Sequence, residues 1–98
     1  MMQAQAITIR LPQALSEHAN GQRELTLPTD SDLELVEVLA WLNGTAPAVG
    51  RRVQDETGAI RRFVNVYVGE SECRTLDGLN TRVSPGTVVS VIGSVAGG

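Results

Sequence analysis

The first readable pattern is alternation. From Ala6 to Leu11 the apolar Ile7, Ile9 and Leu11 are separated by Thr8 and Arg10, the period-two signature of a strand with one buried face. Pro12 ends it, and the polar stretch through Ser16, His18, Asn20 and Gly21 reads as a loop. Alternation resumes at Glu24 to Leu27 with Leu25 and Leu27 inward, so the two strands are expected to form an antiparallel hairpin.

A change of period follows. In Pro28-Thr29-Asp30-Ser31-Asp32-Leu33-Glu34, Ser31 and Glu34 have capping-box spacing, and acidic side chains crowd the positive end of a coming helix. Leu35, Val36, Leu39 and Leu42 then recur at helical spacing with Val38 on the flank, and Asn43-Gly44 supplies a left-handed stop. Trp41 on this helix is expected to pack between helix and sheet. Thr45 to Arg62, with Pro47, Gly50 and Gly58, reads as a connection holding one short element around Val53.

Phe63-Val64-Asn65-Val66-Tyr67-Val68 is the clearest strand in the chain, and Val64, Val66 and Val68 should share its buried face. Gly69-Glu70 turns the chain, Glu72 to Arg74 suits a short edge strand, and Leu76 to Val83 is a turn-rich bridge. Ser84-Pro85-Gly86 is a tight turn before a last strand, Thr87 to Ile92. The order strand, strand, helix, strand, short strand, strand excludes a doubly wound parallel sheet, which needs helices between most strands. It predicts an α+β fold, a mixed sheet of four to five strands with one main helix across it. Strands one and five side by side at its centre would make this a β-grasp.

Composition narrows the function classes. Ninety-eight residues at 42% hydrophobic content fill one domain, expected over 1–93, with 94–98 as a flexible tail. Three aromatic residues, Trp41, Phe63 and Tyr67, do not furnish a base-stacking surface. The net charge is -3, and the eight basic residues are all arginine, dispersed along the chain, so no nucleic-acid partner is expected. Without lysine, a chain of this protein conjugated to itself would have only the N-terminal amine as acceptor. Met1 to Arg10 carries no apolar run, so neither a signal peptide nor a membrane partner is expected, and the chain is read as cytoplasmic.

No side-chain constellation carries chemistry. His18 is the only histidine, and a solvated loop residue is the simplest reading of it; no metal site is expected. Cys73 is the only cysteine, which rules out an intrachain disulfide, and a half-buried edge-strand position explains it better than a nucleophile does. Asp55-Glu56 beside Arg51-Arg52 and Arg61-Arg62 reads as a solvated charged loop, with partner docking by the arginines as the sharper alternative. Gly58 and Gly69 are isolated turn glycines, not a phosphate cradle, so no bound cofactor is expected.

What remains is the end of the chain. A closing Gly-Gly arises by chance in about one chain in two hundred at ordinary glycine usage. A frayed end is the plain alternative, but the apolar pair Val95-Ala96 between the last strand and the glycines argues against a filler segment. Two residues without Cβ can thread a channel too narrow for side chains, and six extended residues reach ~20 Å. A carboxylate is unreactive toward nucleophiles until activated, so another protein would have to do the catalysis.

Arg62 to Val68, the Pro85-Gly86 turn, the strand Thr87 to Ile92 and the ending Val95-Ala96-Gly97-Gly98 together resemble the MoaD/ThiS sulfur carriers, and most closely the CysO-like branch. The resemblance implies a β-grasp whose Gly98 carboxylate, with Gly97 beside it, is adenylated by an E1-like enzyme that uses ATP. It implies conversion to a thiocarboxylate that donates sulfur through an acceptor enzyme such as a cysteine synthase, or toward molybdopterin, thiamin or a specialised metabolite. It also implies partner binding through Ile92, Val95 and Ala96, with core packing the other reading of Ile92. The sequence departs from the family at Gly93-Ser94, where relatives often carry proline. Two other functions stay open at this stage, a ubiquitin-like modifier conjugated through Gly98 and a non-catalytic β-grasp interaction module.

Overall fold

The computed structural model describes residues 5–93; Val95, Ala96, Gly97 and Gly98 lie outside them. Three strands occupy the middle of the sheet. β1 (Ala6–Arg10) pairs antiparallel with β2 (Glu24–Pro28), Ile7 facing Leu27 and Ile9 facing Leu25, which is the predicted hairpin. β1 also lies parallel to the last strand, Thr8 in register with Val88 and Arg10 with Ser90. Such a parallel pair needs a long crossover, and everything between the two strands supplies it.

That crossover begins with the two-residue β3 (Leu33–Glu34) and α2 (Leu35–Thr45), preceded within the first hairpin by the short α1 (Gln13–Ser16). α3 (Pro47–Val53) follows, then β4 (Val64–Val68), β5 (Ser71–Glu72), β6 (Arg82–Val83) and β7 (Val88–Gly93). The main sheet has the order β2-β1-β7-β4-β5, and β3 pairs with β6 in a separate two-stranded ribbon. With α2 across one face, this is the mixed five-stranded sheet and main helix predicted from the order of elements.

The core is aliphatic. Ile7, Ile9, Leu35, Val38, Leu39, Leu42, Val66 and Val89 are fully buried, each contributing ~1.5–3 kcal/mol relative to an exposed position. An isolated helix of α2's length is marginal in water, so the stripe Leu35, Val38, Leu39 and Leu42 is what holds it. Trp41 and Val68 are partly buried against the same cluster, which agrees with the packing role expected for Trp41.

Several local expectations are corrected. The stretch from Pro12 to Gly21 is not a plain loop: the Pro12 carbonyl accepts the amides of Leu15 and Ser16 at 3.0 Å each, which nucleates α1, and a 3-10 turn continues through Ala19. Ser16 and Ala19 are buried there, Ser16 by sending its hydroxyl to the Gln13 carbonyl at 2.7 Å. Ser31 does not cap α2. Leu33 and Glu34 stay extended because they pair with Val83 and Arg82, so the helix starts one turn later, where the Glu34 amide donates to Glu37 Oε1 at 2.8 Å. Leu35, Val38, Leu39 and Leu42 form the i, i+3, i+4, i+7 stripe that faces the core, so Val38 is fully buried and Val36 is 38% exposed, the reverse of the expected stripe.

Gly44 does not end α2 either. The helix runs to Thr45, Ala46 N–H caps it on the Leu42 carbonyl at 2.8 Å, and Pro47 starts α3 at once. The expected element around Val53 is therefore the end of a seven-residue helix. Phe63 lies outside β4 and Arg74 outside β5. Cys73 sits fully buried in a 3-10 turn, not half-buried on the edge strand. The turn before β7 is as predicted, with Thr87 N–H on the Ser84 carbonyl at 3.1 Å and Gly86 at φ 92°.

Candidate functional site

The end of β7 is the part of the described chain nearest the carboxyl terminus. Val88-Val89-Ser90-Val91-Ile92 is rich in β-branched residues, which favours extended backbone. The strand is paired on both sides, with β1 over Val88 to Ser90 and with β4 over Val89 to Gly93. Val89 and Val91 are buried under the helices, so β7 is held by hydrogen bonds on both edges and by packing on one face. Its last pairing among the described residues is Gly93 opposite Val64.

Ile92 faces the other way. It pairs with Asn65 and is 48% exposed, on the sheet face that carries no helix. This removes the core reading of Ile92 and leaves its side chain available for contact. Val95, Ala96, Gly97 and Gly98, the remaining predicted site residues, lie outside the described residues.

Sequence reasoning missed the neighbours of this exit. Phe63, one residue before Val64, is 55% exposed, and the Arg62 guanidinium lies 5.5 Å from its ring centroid. Arg74 reaches in from beyond β5: its guanidinium donates to Asn65 Oδ1 at 3.3 Å, to the Arg61 carbonyl at 3.3 Å and to Glu72 Oε2 at 3.0 Å. Arg61 in turn donates its Nε to the Arg51 carbonyl at 2.8 Å. The one signal for this cluster in the sequence was the Arg61-Arg62 doublet ahead of a strong strand.

The other chemical candidates stay apart from the exit or are inert. Burial raises the Cys73 thiol above its ordinary range, with the Glu72 carboxylate pushing the same way, and Sγ donates to Glu72 Oε2 at 3.7 Å. A buried protonated thiol is a poor nucleophile. His18 is exposed in the 3-10 turn, and among the described residues no group of three or more metal-ligating side chains forms. An open groove of about 450 Å³ between α2, α3 and the 55–61 loop contains Asp55. That carboxylate is held below its usual range by the Thr57 hydroxyl and amide, so it is ionised and bonded, unsuited to proton transfer at neutral pH. No described helix is long and apolar enough to cross a membrane.

The geometry is thus a strand paired on both edges that reaches Gly93 near the exposed Ile92, Phe63 and Arg62, with no nucleophile and base brought together among the described residues. Comparison with known proteins identifies the family and the fold. The ThiS family model matches residues 9–98. The chain is 31% identical over 94 residues to the sulfur carrier protein CysO of Mycobacterium tuberculosis, covering 94% of this chain and 98% of that protein. Its fold is similar to that of SAMP1 from Haloferax volcanii, with a TM-score of 0.79 at 25% identity over 95% of this chain and 99% of that one. It is also similar to a chain of the Amycolatopsis orientalis BexX/CysO complex, with a TM-score of 0.74 at 28% identity over 95% of this chain and 100% of that one.

Proposed function

The chain belongs to the ThiS family, and from that premise we propose that it is a sulfur carrier of the CysO kind, a protein co-substrate whose reacting group is the Gly98 carboxyl. The supporting observation is that the family match runs to residue 98 while β7, fixed between β1 and β4, ends at Gly93. The domain is then a handle, and the five residues beyond it span ~17 Å when extended, the depth of an enzyme cleft.

The chemistry follows from the inertness of a carboxylate. In the active site of an E1-like enzyme, a Gly98 carboxylate oxygen attacks the α-phosphorus of ATP and pyrophosphate leaves, giving an acyl-adenylate. Hydrosulfide then adds to the acyl carbon and AMP departs with the former carboxylate oxygen, leaving a thiocarboxylate. No electrons change hands in either step. The thiocarboxylate sulfur is a good nucleophile and passes to an acceptor enzyme, such as a cysteine synthase. The relative in the BexX/CysO complex, seated on another protein, supports a carrier that works in a docked state.

What this chain contributes is positioning. Gly97 and Gly98 let the tail take whatever dihedrals a narrow channel imposes, while Ile92, Val95 and Ala96 supply apolar contact on the partner. The domain is taken as 1–93 and the tail as 94–98, as expected from the sequence. Incubation with ATP, the adenylating enzyme of the same genome and hydrosulfide should add one oxygen-to-sulfur exchange, located at Gly98 by fragment mass spectrometry. An unchanged intact mass with a demonstrably active enzyme refutes the reading, and Gly-Gly remnants on lysines of other proteins would point to a modifier.

A further inference from the structure

The fold sorts charge by position along β7. Arg10 is in register with Ser90, and Arg23 donates its Nε to the Leu11 carbonyl just beyond it, at 3.4 Å. Arg61 precedes Val64, the partner of Gly93, with its carbonyl 3.0 Å from the Val64 amide. Arg51 and Arg74 are tied to Arg61 as described. Arg10, Arg23, Arg51, Arg61, Arg62 and Arg74 therefore lie on the side toward which β7 runs, with Glu24, Asp55, Glu56 and Glu72 among them. The opposite end, around the start of β7, holds Asp30, Asp32, Glu34, Glu37, Glu70 and Asp77, with only Arg82, 3.6 Å from Asp32, to offset them.

A chain of net charge -3 is thus richest in arginine on the side where β7 reaches Gly93 and most acidic on the other. From this we infer that the arginine rim around the tail exit docks a protein surface rich in carboxylates that surrounds the entrance of the activating enzyme's cleft, and that the acidic far end turns the carrier tail first toward it. The inference rests on the sulfur-carrier reading and names the partner chemistry of the same site. Charge complementarity of this kind speeds encounter and fixes orientation more than it adds affinity. The acidic end is repelled by the same surface, so the wrong approach is disfavoured.

A protein partner fits better than a polyanion. Carboxylates already neutralise part of the rim, Glu24 on Arg10 at 3.2 Å and Glu72 on Arg74 at 3.0 Å, with Asp55 and Glu56 in the groove that Arg51 and Arg61 line, and Phe63 is the only large aromatic side chain exposed there. Arg51 and Arg62 are exposed and have no carboxylate within ion-pair distance among the described residues. Arg23, Arg52 and Arg61 also lack a carboxylate partner but are bonded to the carbonyls of Leu11, Ala48 and Arg51, so Arg51 and Arg62, whose side chains make no hydrogen bond among the described residues, are the charges most open to a partner.

The test is a binding titration of the whole chain against the adenylating enzyme of the same genome, by calorimetry, with thiocarboxylate formation read separately by mass. The double charge reversal Arg51→Glu with Arg62→Glu should raise Kd about tenfold, while Arg82→Glu at the far end leaves Kd unchanged or lowers it. Wild-type affinity should also fall as salt rises from about 0.05 M to about 0.5 M, where screening shortens the reach of charge to a few ångströms. Equal Kd for the double reversal and the wild type, with no salt dependence, overturns the inference and leaves the sulfur-carrier function standing if the mass shift persists. Salt-sensitive binding to transfer RNA that the double reversal abolishes, without enzyme binding, overturns the protein partner. Wild-type chain that neither binds nor gains sulfur overturns both.

Discussion

Two glycines on consecutive helices should respond to alanine with opposite signs. Gly50 lies in α3 where it crosses α2, and a Cβ there would fall onto the Asn43 side-chain amide and stand 2.9 Å from Asn43 Cα. Rotating Asn43 away relieves only the first clash, and it breaks the bond from Asn43 Nδ2 to Gln54 Oε1, 2.9 Å long. The second contact is with backbone, so the two helices must separate. Overpacking of this kind costs ~1–3 kcal/mol and the lost hydrogen bond ~0.5–1.5 kcal/mol, set against ~1 kcal/mol gained from alanine's helix propensity.

The net for Gly50→Ala is therefore a destabilisation of about 1–3 kcal/mol, or a melting temperature lower by ~5–20 °C in a domain of this size. Gly44 sits in α2 with open space around its would-be Cβ and an ordinary helical φ. Gly44→Ala has propensity alone to act on, and should stabilise by a few tenths to ~1 kcal/mol. Urea titrations of the two variants beside the wild type, followed by far-ultraviolet circular dichroism, read both values. A Gly50→Ala protein as stable as the wild type would refute the close approach of α2 and α3.

Three further predictions use the same titrations or simple spectroscopy. Val38→Ala should cost about 2 kcal/mol through the cavity it leaves, whereas Val36→Ala should stay within ~0.5 kcal/mol; equal costs would put α2 back in the rotation expected from sequence. The Asp55 carboxyl, bonded by Thr57 and Ala59, should titrate below the ordinary value of 3.8 in carbon-detected NMR. Because its folded value is depressed, the stability it lends is complete above the unfolded value and is lost as pH falls through the folded one, so Asp55→Ala should narrow the gap to wild type only under acid. Cys73 should resist a thiol reagent in the native protein near pH 8 and react quickly in urea, since burial keeps it protonated and covered; fast native labelling would show that the turn opens.

Much of the fold can be read directly from the chain because alternation and helical spacing are properties of near neighbours. Ile7, Ile9, Leu25, Leu27, Val64 and Val66 could be assigned to one face of their strands without knowing what covered them, and all are buried. The order of elements then left few sheets to choose from, and the parallel pair at the centre was among them. The Gly97-Gly98 end was equally visible, since its chemistry needs no neighbour on the chain.

What depended on distant partners was not visible. Glu34 stays extended with Arg82 opposite it, and that pairing together with the capping bond from Glu34 to Glu37 sets where α2 starts. Ile92 gave the same signal as a core residue until the register with Asn65 placed it on the open face. Arg10, Arg61 and Arg62, far apart or adjacent in sequence, come to one side of the sheet because β1 runs parallel to β7 and β4 antiparallel, so the end of one strand and the start of another meet. Local periodicity is written in consecutive residues, but strand register is a choice among pairings far apart in the chain, and only packing the whole domain makes that choice.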